Sequence, residues 1–207
     1  MIGVQTTIEL LGIGVFALTG ALVAARKAMD PFGFVLLGTV TGVGGGTLRD
    51  LLIGATPITW LHEPTAVLIC VAVSITAFFT AHHFEQASRA QLLLWADAVG
   101  LALFAVNGTA RGLGAGVPAF SAVLLGIMTA TFGGIIRDVM AGEVPLVLRR
   151  DIYVTAALAG AVVFALTVAM VPPPIPSIFG FGVAFGTRAL AIRHSLTLPQ
   201  YGGRRDE

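Results

Sequence analysis

Residues 12–57, moved forward by 88 positions, land on the same residue type at 16 of 46 positions without a gap. The matches are Gly12, Phe16, Ala17, Gly20, Phe32, the run Val35-Leu36-Leu37-Gly38, Thr41, Gly45, Gly46, Arg49, Asp50, Gly54 and Pro57. They centre on GGGTLRD (44–50) and FGGIIRD (132–138). A duplication this clear restricts the chain to architectures that use one unit twice. Each copy is long enough for three membrane-spanning helices, and because three is odd the second copy inserts upside down relative to the first. Inverted repeats of this kind build pathways across a bilayer, with broken helices near its middle.

The membrane reading rests on composition. The chain is 56% hydrophobic and only 11% charged, with a mean hydropathy of +0.91, far from the usage of soluble domains. Apolar stretches at residues 6–24, 32–53, 64–81, 92–110, 118–141, 152–171 and 175–192 each approach or exceed the roughly 18 to 20 residues that cross about 30 Å of hydrocarbon. The 26 glycines fit closely packed or broken membrane helices. The expected fold is an all-α polytopic membrane protein with seven transmembrane helices, two inverted three-helix repeats plus a seventh helix. It forms a single transmembrane domain over residues 1–207, with repeat one at 6–84, repeat two at 92–171, the seventh helix at 175–192 and a disordered cytoplasmic tail at 196–207.

Charge sets the expected orientation. With the N-terminus outside, the cytoplasmic side receives Arg26, Lys27, Arg89, Arg149, Arg150, Arg188, Arg193, Arg204 and Arg205, and the outside only Arg111. That asymmetry places the C-terminus in the cytoplasm of a cell whose inner (plasma) membrane holds the protein. The basic residues are then topological anchors, and no nucleic-acid partner is expected. The first apolar run is not a signal peptide, since no basic residue precedes it and it has a counterpart in the fourth span. The lone Cys70 reads as a packing residue. His62, His82, His83 and His194 show no metal-ligand spacing, so no metal or cofactor is expected. Nucleophile-elbow, P-loop and HExxH patterns do not occur, and nothing in the sequence asks for an enzyme.

The residues that invite a function lie in the second and fifth spans. Gly38, Gly42 and Gly46 recur every four residues, as do Gly126, Ala130 and Gly134. Small residues at that spacing let another helix approach closely. Close packing needs one glycine per turn, however, whereas Gly44, Gly45 and Gly46 are contiguous. Such a run loosens a helix and frees carbonyls, tolerated at membrane depth only against protein or a water-filled cavity. Freed carbonyls near residues 40–44 and 128–132 would suit a cation. Thr39, Thr41, Thr47, Thr129 and Thr131 either add hydroxyl ligands or bond back to their own helices.

Ionisable groups inside a span are costly and by default functional. Arg49 and Asp50, like Arg137 and Asp138, project about 100° apart on a helix and are not expected to pair simply with each other. Depth matching points instead to Glu9 with Arg49 and, one repeat on, Asp97 with Arg137. These pairs are either structural or adjacent to a permeation path. Glu143, whose counterpart is Ala55, either concentrates cations at a vestibule or pairs in a loop with Arg149 or Arg150.

With GGGTLRD and FGGIIRDVMAGEVP set in two three-helix units before a seventh helix, the chain resembles prokaryotic members of the trimeric intracellular cation (TRIC) channel family over residues 6–192. Bacterial relatives of this kind often carry a glycine-transporter label. The resemblance implies a homotrimer in membrane lipid, each protomer with its own pore, passing potassium and, less selectively, sodium. It places Gly44, Gly45, Gly46, Gly133 and Gly134 at kinks of the pore helices and Arg49, Asp50, Arg137 and Asp138 beside the pore. Animal members carry lipid-binding basic residues on the fourth helix. Here Asp97 is that helix's only charge before Arg111, so lipid gating of the animal type does not carry over. The alternative from the same architecture is a secondary transporter of a small solute such as glycine, working by alternating access. A third reading is a membrane scaffold whose glycines serve only packing.

Overall fold

The computed structural model describes residues 2–83 and 85–199. Its elements are α1 (Ile2–Arg26), α2 (Pro31–Leu52), a short α3 (Thr59–His62), α4 (Thr65–Thr80), α5 (Gln86–Gly114), α6 (Ala119–Met140), α7 (Val154–Thr167) and α8 (Ile175–His194). Six of the helices are long and apolar enough to cross a membrane, while α7, with 14 residues, is a shorter apolar helix. The sixth stretch read from the sequence, 152–171, is thus helical over a smaller part of its length. The chain is an all-helical, multi-pass membrane protein.

Local sequence explains where the helices begin and end. Asp30 caps α2 by accepting from the Gly33 amide at 2.7 Å, and Pro31, which has no amide hydrogen to satisfy, opens the first turn. Both α2 and α6 stop at a left-handed glycine, Gly54 (φ +66°) and Gly142 (φ +67°). The amides that follow return to the helix, Ala55 to the Asp50 carbonyl at 2.9 Å and Glu143 to the Asp138 carbonyl at 2.8 Å.

Two groups of helices form the body, α1 with α2 and α4, and α5 with α6 and α7; α8 packs on α5 and α7. They join where α1 meets α5 and α2 meets α6. The central helices are α1 and α5, with 61% and 67% of their spanning residues buried, against 28% for α4 and α8. Phe16 of α1 and Phe104 of α5 meet with ring centroids 5.2 Å apart.

At the second junction α2 and α6 touch backbone to backbone. A Cβ added at Gly45 would collide with the Thr129 carbonyl oxygen, and one at Gly133 with the Thr41 carbonyl oxygen. Contrary to the expectation of broken helices, α2 is helical throughout Gly44–Gly46 and α6 throughout Gly133–Gly134. Tertiary contact supplies what the glycine run lacks in helix propensity. Another expectation changes at the C-terminus. Thr197 forms a bridge to Asp151, and the Leu198 amide donates to the Arg150 carbonyl at 2.7 Å, so residues 196–198 are held. Residues 200–207 of the expected tail lie outside the described residues.

Because the carbonyls at this crossing are fixed by their own helices, Gly45→Ala and Gly133→Ala should each cost about 1 to 3 kcal/mol, the range for overpacking. Thermal unfolding in detergent should show both melting well below the parent. Gly114→Ala, with nothing within 4 Å of the added carbon, should leave the melting temperature unchanged.

Candidate functional site

Glu9 lies early in α1, while Arg49 and Asp50 occupy the last turn of α2, and the antiparallel packing of these helices brings the three together. Arg49 Nη2 donates to Glu9 Oε1 at 2.7 Å. Its Nε and Nη2 also donate to Asp50 Oδ1 at 2.9 and 2.7 Å. The second oxygen of Glu9 accepts from Arg111 Nη2 at 2.5 Å. The second oxygen of Asp50 accepts from the Thr59 amide at 3.2 Å and hydroxyl at 2.9 Å. Two carboxylates thus face two guanidinium groups, and Arg49 is 1% exposed.

The arrangement recurs 88 residues on. Arg137 Nη1 donates to Asp97 Oδ1 and Nε to Asp138 Oδ1, both at 2.8 Å, and Asp138 Oδ2 accepts from the Leu146 amide at 3.1 Å. Arg137 Nη1 also donates to the Thr19 hydroxyl at 2.9 Å, tying α6 to α1. Asp97 and Arg137 are each 1% exposed. The structure therefore brings together Glu9 with Arg49 and Asp97 with Arg137. It also corrects the expectation that sequence neighbours do not pair, because each arginine bonds to the aspartate that follows it. Cβ directions 100° apart do not prevent this, since the long arginine side chain can bend back and its planar fork serves two acceptors. The aspartates in turn fasten the segment after each helix to the helix end.

Glycines provide the space. A Cβ at Gly46 would lie 3.8 Å from Arg49 Nη2 and 4.0 Å from Glu9 Oε1, and one at Gly134 would lie 3.6 Å from Arg137 Nη2. Gly44 faces Ile136 of α6. The contiguous run thus has separate tasks, Gly45 for the helix crossing and Gly46 for the guanidinium. Thr41 and Thr129 direct their hydroxyls to the carbonyls of Leu37 and Leu125 at 2.5 and 2.6 Å, the back-bonding alternative. Thr47 and Thr131 bond back likewise, and Thr47 also accepts from the Trp60 indole at 2.9 Å. Cys70 is buried beside Gly42.

A cavity of about 260 Å³ opens beside the first cluster, lined among others by Ile13, Gly42, Gly46, Asp50, Glu63 and Phe104. Glu143 lies at the other end of the molecule. It meets Arg26 at 2.5 Å and Lys27 at 3.3 Å, correcting the expected Arg149 or Arg150 partners; Arg149 instead donates to the Val144 carbonyl at 3.0 Å. Arg188, expected as a cytoplasmic-side anchor at the end of the last helix, is 3% exposed and lies 5.3 Å over the Tyr153 ring. Sequence reasoning did not find Thr19 or Tyr153, which carry no motif. Arg111 was visible as a lone outer charge without a reason to choose Glu9.

Neutralising one member of a buried charge pair leaves the other uncompensated, at about 3 to 5 kcal/mol by the soluble-protein benchmark. Arg137→Gln, which strands two acids, should destabilise more than Asp97→Asn. The double variant should recover part of the loss. Thermal unfolding of the detergent-solubilised protein measures all three; equal stability of Arg137→Gln and the parent would overturn a structural role.

Comparison with known proteins agrees with this geometry. The glycine transporter family matches the chain twice, at residues 6–82 and 94–169. The UPF0126 inner membrane protein YadS of Escherichia coli is 37% identical over 196 residues, 94% of each chain. Among solved structures, the TRIC trimeric intracellular cation channel orthologue from Rhodobacter sphaeroides is 50% identical, with a TM-score of 0.90 over 93% of this chain and 99% of that one. A prokaryotic TRIC channel crystallised in 0.5 M KCl is 31% identical with a TM-score of 0.90, over 96% of this chain and 100% of that one. With the doubled glycine–Arg-Asp clusters in place on that fold, the chain belongs to the trimeric intracellular cation channel family and falls under the glycine transporter description as well.

Proposed function

We propose that the protein is a potassium-permeable monovalent cation channel, a homotrimer in the inner (plasma) membrane with a pore in each protomer along α2 and α6. The observation that carries this reading is the cavity at the Glu9 end. It reaches the glycine-lined side of α2, and its carboxylates Glu9, Asp50 and Glu63 outnumber its guanidinium groups Arg49 and Arg111. A narrow concavity with excess negative charge concentrates cations and repels anions. Gly46 keeps side-chain bulk away from Arg49 and Glu9 there, so these charged groups line the cavity.

Seven spans in two inverted three-helix units, plus a last helix, remain the architecture we propose for this pore. The twofold family match and the contacts that recur at the same offset support it. The N-terminus is then outside and the C-terminus cytoplasmic. The meeting of Arg26, Lys27 and Glu143 at one end, about 25 Å along α1 from Glu9, supports that polarity. A cavity at one end is also what an alternating-access carrier would show, which makes uptake of a small solute such as glycine the second reading.

Purified protein in a planar bilayer, with potassium and sodium on opposite sides, should give discrete currents that reverse near the potential of a weakly potassium-selective cation pore. Saturable solute uptake without unitary currents would decide for the carrier. Glu63→Gln should lower conductance at low salt by tens of per cent and have no effect near 1 M salt, where screening removes the vestibule field. In a Cys70→Ala background, cysteines replacing Gln5 and Gln200 should react from opposite sides of the membrane; labelling from one side would overturn the seven-span topology.

A further inference from the structure

The two charged clusters share an arginine held between a helix carboxylate and the aspartate that follows it, but not their surroundings. The cavity beside Arg49 is lined in part by Thr65, the first residue of α4, which is exposed. The residue 88 positions on is Tyr153, immediately before α7, and it is 2% exposed. Its hydroxyl reaches the space beside Gly134, where a Cβ would lie 3.4 Å from it. A small side chain leaves the first site open, and a large aromatic one fills the second.

Tyr153 is also held from outside the duplicated units. Arg188 of α8 stacks on its ring at 5.3 Å. The same guanidinium donates to the Ile152 carbonyl at 3.3 Å and lies 3.6 Å from Asp151. Beyond α8, Thr197 bridges to Asp151 and the Leu198 amide donates to the Arg150 carbonyl. The backbone of residues 150–152 is therefore clamped by α8 and the segment that follows it.

The filling is imperfect in polar terms. Asp97 Oδ2 and Arg188 Nε are buried without a hydrogen-bond partner, and the Tyr153 hydroxyl lies beside Asp97 without a well-directed bond.

We infer that Tyr153 is a plug closing the Arg26 end of the permeation pathway, and that α8, through Arg188, holds it in place. The inference rests on the channel reading for its purpose but not for its test. The probe is a cationic methanethiosulfonate reagent, and the reporter is Thr131→Cys in a Cys70→Ala background. Thr131 is the counterpart of Val43, which lines the open cavity. From the Arg26 side the reporter should react slowly in the parent, at least tenfold faster with Tyr153→Thr, and faster with Arg188→Gln. Tyr153→Phe, which keeps the ring, should stay slow. In the reverse arm, Thr65→Tyr should slow labelling of Val43→Cys from the Glu9 side by a similar factor. This arm adds bulk at an exposed position and tests the idea even if Tyr153→Thr fails to fold.

A folded Tyr153→Thr protein labelled no faster than the parent, or Thr65→Tyr without effect, overturns the plug. Labelling as expected in a protein that carries no current removes the channel reading and leaves the plug standing. Cation currents with labelling indifferent to residue 153 do the reverse.

Discussion

The crossing of α2 and α6 is the contact on which the other features depend. Gly45 receives the Thr129 carbonyl, and Gly133 receives the Thr41 carbonyl. Two helices that meet through peptide groups can approach only at one depth and in one register, since one turn away on the same face Gly45 is flanked by Thr41 and Arg49 and Gly133 by Thr129 and Arg137. That register also places the charges. Arg49 and Arg137 each follow the contact glycine by four residues, one turn along the same face, so a guanidinium emerges on either side of the crossing.

Each guanidinium then does what a hydrophobic residue could not. It binds a carboxylate from a central helix, α1 or α5, and the aspartate beside it, whose other oxygen secures the chain after the helix. In hydrocarbon such groups are tolerated only with near-complete pairing. The unpaired atoms are therefore informative. Arg49 Nη1 and both polar atoms of Asn107 lack partners, while Arg137 Nη1, which binds Asp97, also bonds to Thr19, the counterpart of Asn107.

Much of this was legible in the sequence because membrane physics amplifies it. Span lengths, the internal offset and charges in apolar runs are strong signals against a lipid background, and two depth-matched charge pairs follow from them. The purpose of the glycine run was not legible. Contiguous glycines fit either a broken helix or a backbone contact, and only the approach of α6 selects the second. Side-chain reach was underestimated as well: helical angles describe Cβ directions, whereas Arg49 places its charge several bonds further out. The partners of Glu143 were hidden for another reason, since Arg26 and Lys27 are remote in sequence and become neighbours only when α1 and α6 end on the same side.

The reciprocal crossing also fixes an order of events during synthesis. Glu9 and Arg49 both belong to the first half of the chain and can pair as soon as α2 is inserted. The glycine face of α2 must wait for Thr129, which is 84 residues after Gly45. At about 5 to 20 residues per second, that interval lasts roughly 4 to 17 s. Throughout it, bare helical backbone faces lipid, and the early ion pair is what keeps α1 and α2 in register until their partner arrives.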